Sequence, residues 1–327
     1  MSPKESTPMQ MLVARFQTFF LSSKIFSLCA GAALASAMAV PACATENGGS
    51  AFPVGVETVM TAMYPAPGET VFAEFTVFYE ANELVNGEGQ SAAAEFKLRV
   101  FGTAVKMSRT WEIKVPGGYL NSYIAIPELF EQLHVGPGKF DKYAISNVDL
   151  IPVAIVNHKG FAHWYYEGDF FTPGTAYSPN DVLNVGQHNL AAGPVAGFTL
   201  LSDKGRTEIS TRNTYLFNGP DRDTNYHSGN EYFTEFNVAQ QLLKKAALGC
   251  NGYIYQQTTN DKQNGVSVAG GNRGRDLAIG PQVRINLPHG AFAFKYLRDT
   301  LVENKPRGSA LWFQIGVPFP GLSRGRL

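Results

Sequence analysis

The feature that most constrains this chain is an alternation of apolar and polar residues with period two. Phe96, Leu98 and Val100 alternate with Glu95, Lys97 and Arg99. Leu277, Ile279, Val283, Ile285 and Leu287 alternate with Ala278, Gly280, Gln282, Arg284 and Asn286. Leu311, Phe313, Ile315, Val317 and Phe319 alternate with Trp312, Gln314, Gly316 and Pro318. Successive side chains of a strand point to opposite faces, so the pattern predicts strands with one apolar and one polar face. Less regular alternation covers 71–79, 120–126, 143–156, 161–171, 195–201, 208–217, 232–240, 246–255 and 291–297. The sum is about 12 strands of roughly ten residues, the length a tilted strand needs to cross a bilayer. Turn signals stand between them, among them Asn86-Gly87, Pro116-Gly117-Gly118, Gly136-Pro137-Gly138, Asn264-Gly265 and Gly270-Gly271-Asn272. The best helical candidate, 238–248, reads equally well as one strand end, a Lys244-Lys245 turn and the next strand.

The first stretch is of another kind. Lys4, Arg15 and Lys24 precede an uncharged apolar run over 25–40 that ends in Pro41-Ala42-Cys43-Ala44. A basic n-region, an apolar h-region and an A-x-A site describe a secretory leader, cut after Ala44. An uncleaved anchor is the competing reading, because about 18 apolar residues suffice to span. The small residues and the A-x-A site argue against it, and Pro41 makes 40–43 a poor lipoprotein site. Cleavage removes three basic residues and Glu5, so 27 of each sign become 24 basic and 26 acidic, a net charge of −2. That balance gives no electrostatic case for a nucleic-acid partner. Only Cys250 remains after cleavage, so no intramolecular disulfide is available. Residues 45–327 show no linker or composition shift and are expected to form one domain.

Alternation alone also fits a soluble sandwich. Three observations favour lipid instead. One face carries aliphatics and aromatics while the other carries charges and amides. Aromatics gather near strand ends, at Phe161, Trp164, Tyr165, Tyr166, Phe170, Phe171, Tyr253, Tyr255, Trp312 and Phe319, where Tyr and Trp favour the interface. The last alternating run also ends in an aromatic. In lipid an unpaired backbone N–H or C=O costs several kcal/mol, so the strands have to close into a ring. Pro152, Pro194 and Pro281 each remove a ladder donor and suit bulges or strand ends. The expected fold is therefore all-β, a single antiparallel transmembrane β-barrel of about 12 strands. Membrane lipid, lipopolysaccharide and the outer-membrane assembly machinery are its expected partners. A lipid-facing cation at mid-membrane costs about 2–4 kcal/mol, so Glu95, Lys97, Arg99, Arg212, Glu235, Arg275 and Arg284 are the candidate lumen-lining residues. Longer loops, over 82–94, 172–187, 219–230 and 257–273, are expected on the outside.

Several segments resemble the meta-pathway phenol-degradation (SphA-type) outer-membrane β-barrel family. They are residues 44–58 (ATENGGSAFPVGVET), 224–231 (TNYHSGNE), 255–265 (YQQTTNDKQNG), 271–280 (GNRGRDLAIG) and 302–308 (VENKPRG), in the family's order over nearly the whole mature chain. One turn departs: Phe171-Thr172-Pro173-Gly174 stands where the family tends to show Leu-Pro-Thr-Gly. The resemblance implies an outer-membrane barrel associated with the degradation of aromatic or other hydrophobic compounds. It carries no catalytic residues over.

The residues offer little chemistry of their own. Gly265-Val266-Ser267-Val268-Ala269 nearly matches a nucleophile elbow, but it lacks the last Gly and the strand–turn–helix setting. Asp221-x-Asp223-x-Asn225 opens like a calcium loop, yet Tyr226 replaces the required Gly and Tyr232 the closing Glu. No histidines stand at metal-ligand spacing, and 270–274 lacks the Lys of a phosphate loop. No metal, cofactor or catalytic group is expected, and the chain is not expected to be an enzyme. Passive uptake of small hydrophobic or aromatic molecules is the expected function, with a structural or surface-binding barrel without flux as the alternative. The protein recovered from membranes should begin Thr45-Glu46-Asn47; intact-mass measurement reads this directly, and a retained 1–44 overturns the leader assignment.

Overall fold

The computed structural model describes residues 48–202, 206–288 and 290–319; the expected leader lies outside them. The strands are β1 (Thr70–Leu84), β2 (Phe96–Val115), β3 (Gly118–Val135), β4 (Gly138–Ile145), β5 (Asp149–Lys159), β6 (Ala162–Phe171), β7 (Ala191–Ser202), β8 (Thr207–Asn218), β9 (Tyr226–His227), β10 (Glu231–Gln241), β11 (Ala246–Gln257), β12 (Lys262–Gln263), β13 (Val266–Ser267), β14 (Arg275–Leu287), β15 (Gly290–Glu303) and β16 (Pro306–Pro318). All but β4, β9, β12 and β13 pair antiparallel into a closed ring of twelve. The ring closes on β1, which pairs with β16 from Val71↔Pro318 to Leu84↔Pro306 and with β2 from Thr70↔Arg109 to Ala81↔Leu98.

The two ends differ. At one, the turn end, strands are joined by short connections at 116–117, 160–161 and 242–245. At the loop end lie the long connections 85–95, 172–190, 219–230 and 258–274, and β9, β12 and β13 form a small sheet within the last two. The four long loops named from the sequence thus share one end. β3 outruns its neighbour: its first half pairs with β5, and its second half pairs with β4 from Glu128↔Ile145 to Val135↔Gly138. This hairpin raises the wall at the loop end. The segment 238–248 is strand, turn and strand. Pro152 falls where β5 shifts register against both β3 and β6, so the missing donor sits at a bulge.

Facing follows from register, because directly paired residues share a face. Outward positions hold Phe78, Phe101, Val105, Ile126, Tyr166, Ile209, Val238, Ile254, Ile279 and Leu311, all more than a third exposed. An apolar belt of this extent on a ring with no sheet edge is a lipid-facing surface. Aromatic rings reinforce it: Phe313 packs against Phe294 at 5.1 Å and against Phe78 at 6.3 Å. The aromatics expected at the interface divide in two. Trp164, Tyr166 and Phe170 alternate outward, whereas Tyr165, Phe171, Tyr253, Tyr255 and Trp312 are buried inside the barrel. Sequence alternation separates two faces; it does not say which one an aromatic-rich face meets.

Substituting Ile279→Arg should therefore cost about 2–4 kcal/mol, while Arg99→Leu at the loop end should stay within about 1 kcal/mol. Urea titration of protein refolded in phospholipid vesicles measures both, and comparable losses would overturn the assigned facing.

Candidate functional site

Residues 48–69, ahead of β1, run through the inside of the ring from the loop end to the turn end. At the loop end Gly48 C=O accepts from Lys305 Nζ at 3.1 Å, and Gly49 C=O accepts from Gln187 Nε2 at 2.8 Å. At the turn end Gly68 N–H donates to Thr110 C=O at 2.8 Å, and β1 follows. The segment is rich in Gly and Pro, so it forms no strand of its own; its backbone groups are satisfied by side chains from the wall. Gly55 N–H and Glu57 N–H both donate to Glu235 Oε1, at 2.8 and 3.1 Å. Met60 N–H donates to Glu208 Oε1 at 2.8 Å and Ala62 N–H to Thr199 Oγ1 at 3.1 Å. Lys295 Nζ donates to the carbonyls of Gly55 and Val56 at 2.9 and 2.6 Å. Lower down, Tyr64 donates its hydroxyl proton to Glu167 Oε2 at 2.7 Å.

Gly55 is required by geometry twice over. Its φ is +100°, and a Cβ there would stand 2.8 Å from Leu297 Cδ1 and 3.1 Å from the Tyr253 ring. Three residues earlier, Phe52 stacks on Phe233 with centroids 5.2 Å apart and meets Phe171 edge-on at 6.3 Å.

The centre of the site is Arg212, fully buried on the inner face of β8. Its Nη1 lies 3.0 Å from Glu57 Oε2 and 2.8 Å from Glu167 Oε1; Nη2 binds Asp169 Oδ2, and Nε lies 3.7 Å from Glu235 Oε2. The guanidinium also sits 4.7 Å from the Phe52 ring centroid. Glu57 has a second partner across the lumen, the ammonium of Lys106 on β2, which is itself 3.7 Å from the Tyr123 ring centroid. One carboxylate of the segment thus joins β8 to β2. Nearby, Arg284 Nε approaches Glu208 Oε2 at 3.4 Å.

The seven residues named from the sequence divide. Arg212, Glu235 and Arg284 point into this cluster. Lys97 and Arg99 do not: each pairs with Glu80 on the outside of the wall at the loop end, at 3.2 and 2.8 Å, in register with the outward face of β1. Glu95 precedes β2 in the exposed loop. Arg275 faces outward at the first position of β14, 3.4 Å from Glu303. The physical reason is shared. Leu98 and Val100 take the inner face of β2, and the outward charges lie where an aqueous or headgroup region replaces hydrocarbon. Glu57, Lys106, Glu167, Asp169, Glu208 and Lys295 were not named. A signal existed for two of them: Lys106 and Lys295 stand well inside strands, where lipid exposure of a cation is costly.

Both sides of the segment's middle are hollow. A cavity of about 430 Å³ at the turn end is lined by Val59, Met63 and Tyr64 of the segment and by Ala73, Phe75 and Ala293 of the wall. A second, of about 270 Å³ at the loop end, lies between Phe52 and Val54 and the wall residues Val77, Val100, Leu297 and Trp312. A space of about 40 Å³ around Val56, Glu57, Phe75 and Lys106 shares residues with both. Among the described residues one group has metal-ligand spacing: His188, Asp221 and Asp223 on the loops, with donor atoms within 4.8 Å of one another. Asp221 is committed to the Tyr177 and Thr224 hydroxyls at 2.7 Å each, so the group locks two loops together. Ser267 is exposed in β13.

A family model described as "Putative MetA-pathway of phenol degradation" matches residues 81–315. A search of curated proteins finds no sequence match. Among solved structures, an outer membrane channel of the COG4313 group from Pseudomonas putida F1 aligns with TM-score 0.70 at 12% identity, over 80% of this chain and 98% of that one. The translocator domain of the autotransporter NalP from Neisseria meningitidis aligns at 0.41 with 12% identity, over 79% and 90%. A Pseudomonas aeruginosa FadL homologue aligns at 0.35 with 8% identity, over 77% and 89%.

Removing one member of a buried ion cluster leaves its partners desolvated and unpaired. Arg212→Leu should lower stability by about 3–5 kcal/mol, and Thr234→Ala, on the outer face of the adjoining strand, by less than about 1 kcal/mol. Vesicle unfolding titrations compare them; equal losses would contradict the role given to Arg212.

Proposed function

The chain belongs to that phenol-degradation family, and we propose that it is an outer-membrane channel for the passive uptake of small hydrophobic or aromatic compounds. The observation that carries this reading is the two-sidedness of the lumen. On the β6 to β11 side, charged and amide groups hold the threaded segment. On the side of β1, β2, β15 and β16 the two cavities are lined mainly by apolar side chains, with Lys106 and Lys295 reaching across to the segment. A solute moving along the apolar side meets hydrocarbon and aromatic surface at both levels, which favours apolar molecules over ions. Between the two levels the path is barred by the Glu57–Lys106 pair, which ties the segment to β2 through charge.

The family membership and the likeness to a channel fold support the same reading. The apolar belt supports placement in the outer membrane, and by the usual length rule the loop end faces outward. The channel-like fold and the family membership support reading the protein as a transporter and not an enzyme. Export through residues 1–44 and delivery to the outer-membrane assembly machinery complete the proposal.

Uptake decides it. Cells lacking this protein should take up labelled phenol or toluene several-fold more slowly at low concentration, and the restored gene should recover the rate with catabolic enzyme levels unchanged. Glu57→Gln should keep the barrel folded and raise both uptake and single-channel conductance, since it removes the charge that ties β2 to β8. Unchanged uptake on deletion, for aromatics and for a fatty acid alike, would leave a barrel without flux as the better account.

A further inference from the structure

The loop-end cavity is apolar in its walls but not neutral. Val77, Val100, Leu129, Leu297 and Trp312 line it together with Glu131, Asp276 and Asp299. One lining cation, Lys305, acts electrostatically on Asp276 and Asp299, while its Nζ donates to Gly48 C=O at 3.1 Å and lies 4.2 Å from the Tyr255 ring centroid.

The carboxylates differ in how far they are satisfied. Asp299 accepts from Tyr79 at 3.1 Å and from Gly308 N–H at 2.7 Å, and it shares the Tyr253 hydroxyl proton, 3.1 Å away, with Asp276. Asp276 is 4% exposed and accepts from Tyr253 at 2.9 Å through Oδ2, while its Oδ1 has no hydrogen-bond partner. A buried carboxylate oxygen left without a donor is costly, and such groups call for a ligand or a switch in explanation. Glu131 shares the inner face of β3 with its register partner Val100. The lysine beside it in register, Lys142, donates instead to Asp181 at 2.7 Å and Asn184 at 2.9 Å. Among the described residues, no group pairs with the Glu131 carboxylate.

We propose that this cavity binds a protonated amine carried on a small apolar body, with the ammonium at Asp276 and the body against Tyr255, Phe52 and Trp312. An ammonium supplies the donor that Asp276 Oδ1 lacks, and an aromatic face attracts a cation as well as an apolar group. Anionic aromatics would meet like charge. The inference builds on the channel reading, narrowing what the entrance prefers to gather.

The test uses the full-length protein in detergent micelles, dialysed to equilibrium at neutral pH against radiolabelled 2-phenylethylamine, phenylacetate or phenol, with protein-free micelles subtracted. The amine should bind at least about tenfold more tightly than phenylacetate, because a hydrogen bond to a charged group contributes about 1.5–3 kcal/mol. Asp276→Asn should weaken the amine about tenfold and change phenol by less than about twofold, while Glu131→Gln, on the far side of the cavity, should weaken the amine by less than about threefold. If Asp276→Asn impairs folding, the amine–phenylacetate comparison on the unaltered protein still decides. Equal affinity for amine and phenylacetate, or amine binding indifferent to Asp276→Asn, overturns the proposal. Amine binding that persists while deletion leaves aromatic uptake unchanged would sink the channel reading and spare the site; the reverse pattern would do the opposite.

Discussion

A ring of strands in lipid has no spare hydrogen-bonding edge, and everything else in this molecule is arranged around that closure. β1 has to reach β16 on one flank and β2 on the other over nearly its whole length, so its first residue is fixed at the turn end. The chain that leads into it comes from the loop end, at Gly48. With the wall sealed, the remaining route for 48–69 is through the middle. Filling of the lumen is thus a consequence of where the first strand must start, and the inward side chains have been fitted to a guest that the topology supplies.

That guest is held by charge to an unusual degree. Burying ions costs several kcal/mol each unless their partners are well placed, and here Arg212 gathers Glu57, Glu167, Asp169 and Glu235 around one planar fork. An apolar plug of similar volume would give comparable stability by simple burial. What ions add is a defined register: the segment cannot slide by one residue without separating Glu57 from both Arg212 and Lys106. Apart from Lys106, Lys295 and Asp299, the opposite flank carries mostly apolar side chains, which keeps a largely apolar passage beside a polar anchor in the same narrow ring.

Much of the wall was legible in the sequence, because period-two alternation and turn residues are local properties. The strand over 96–115, the break at Lys244-Lys245 and the bulge at Pro152 all follow from chemistry within a few residues. Facing was harder. At Lys97 and Arg99 the alternation is clean, yet Leu98 and Val100 take the inner face of β2, and the charges turn outward to meet Glu80. A rule that sends charge to the lumen holds at mid-membrane, where Arg212 and Arg284 obey it, and lapses beyond the hydrocarbon. The threaded segment was not legible as such. Ala51-Phe52-Pro53-Val54-Gly55-Val56 carries no periodicity, and only its apolar character ahead of the first strand, with Glu57 directly after it, hints at burial. Its partners lie far away in sequence: Glu235 is 180 positions from Gly55 and Lys295 is 240, and no local pattern records such a meeting.

The depth of the Glu57 bridge separates two classes of contact by their response to the surrounding medium. Mobile ions screen charges that lie in water, with a Debye length of about 8 Å at physiological ionic strength, and screen buried pairs far less. Lys142–Asp181 and Arg275–Glu303 at the mouth are open to that screening, with Asp181 and Glu303 roughly half exposed at 48% and 41%. Arg212, Glu167, Asp169 and Glu235 are at 0%. A cell moving between fresh and saline water would therefore loosen or tighten the rim of this barrel while the bar across its centre kept its strength.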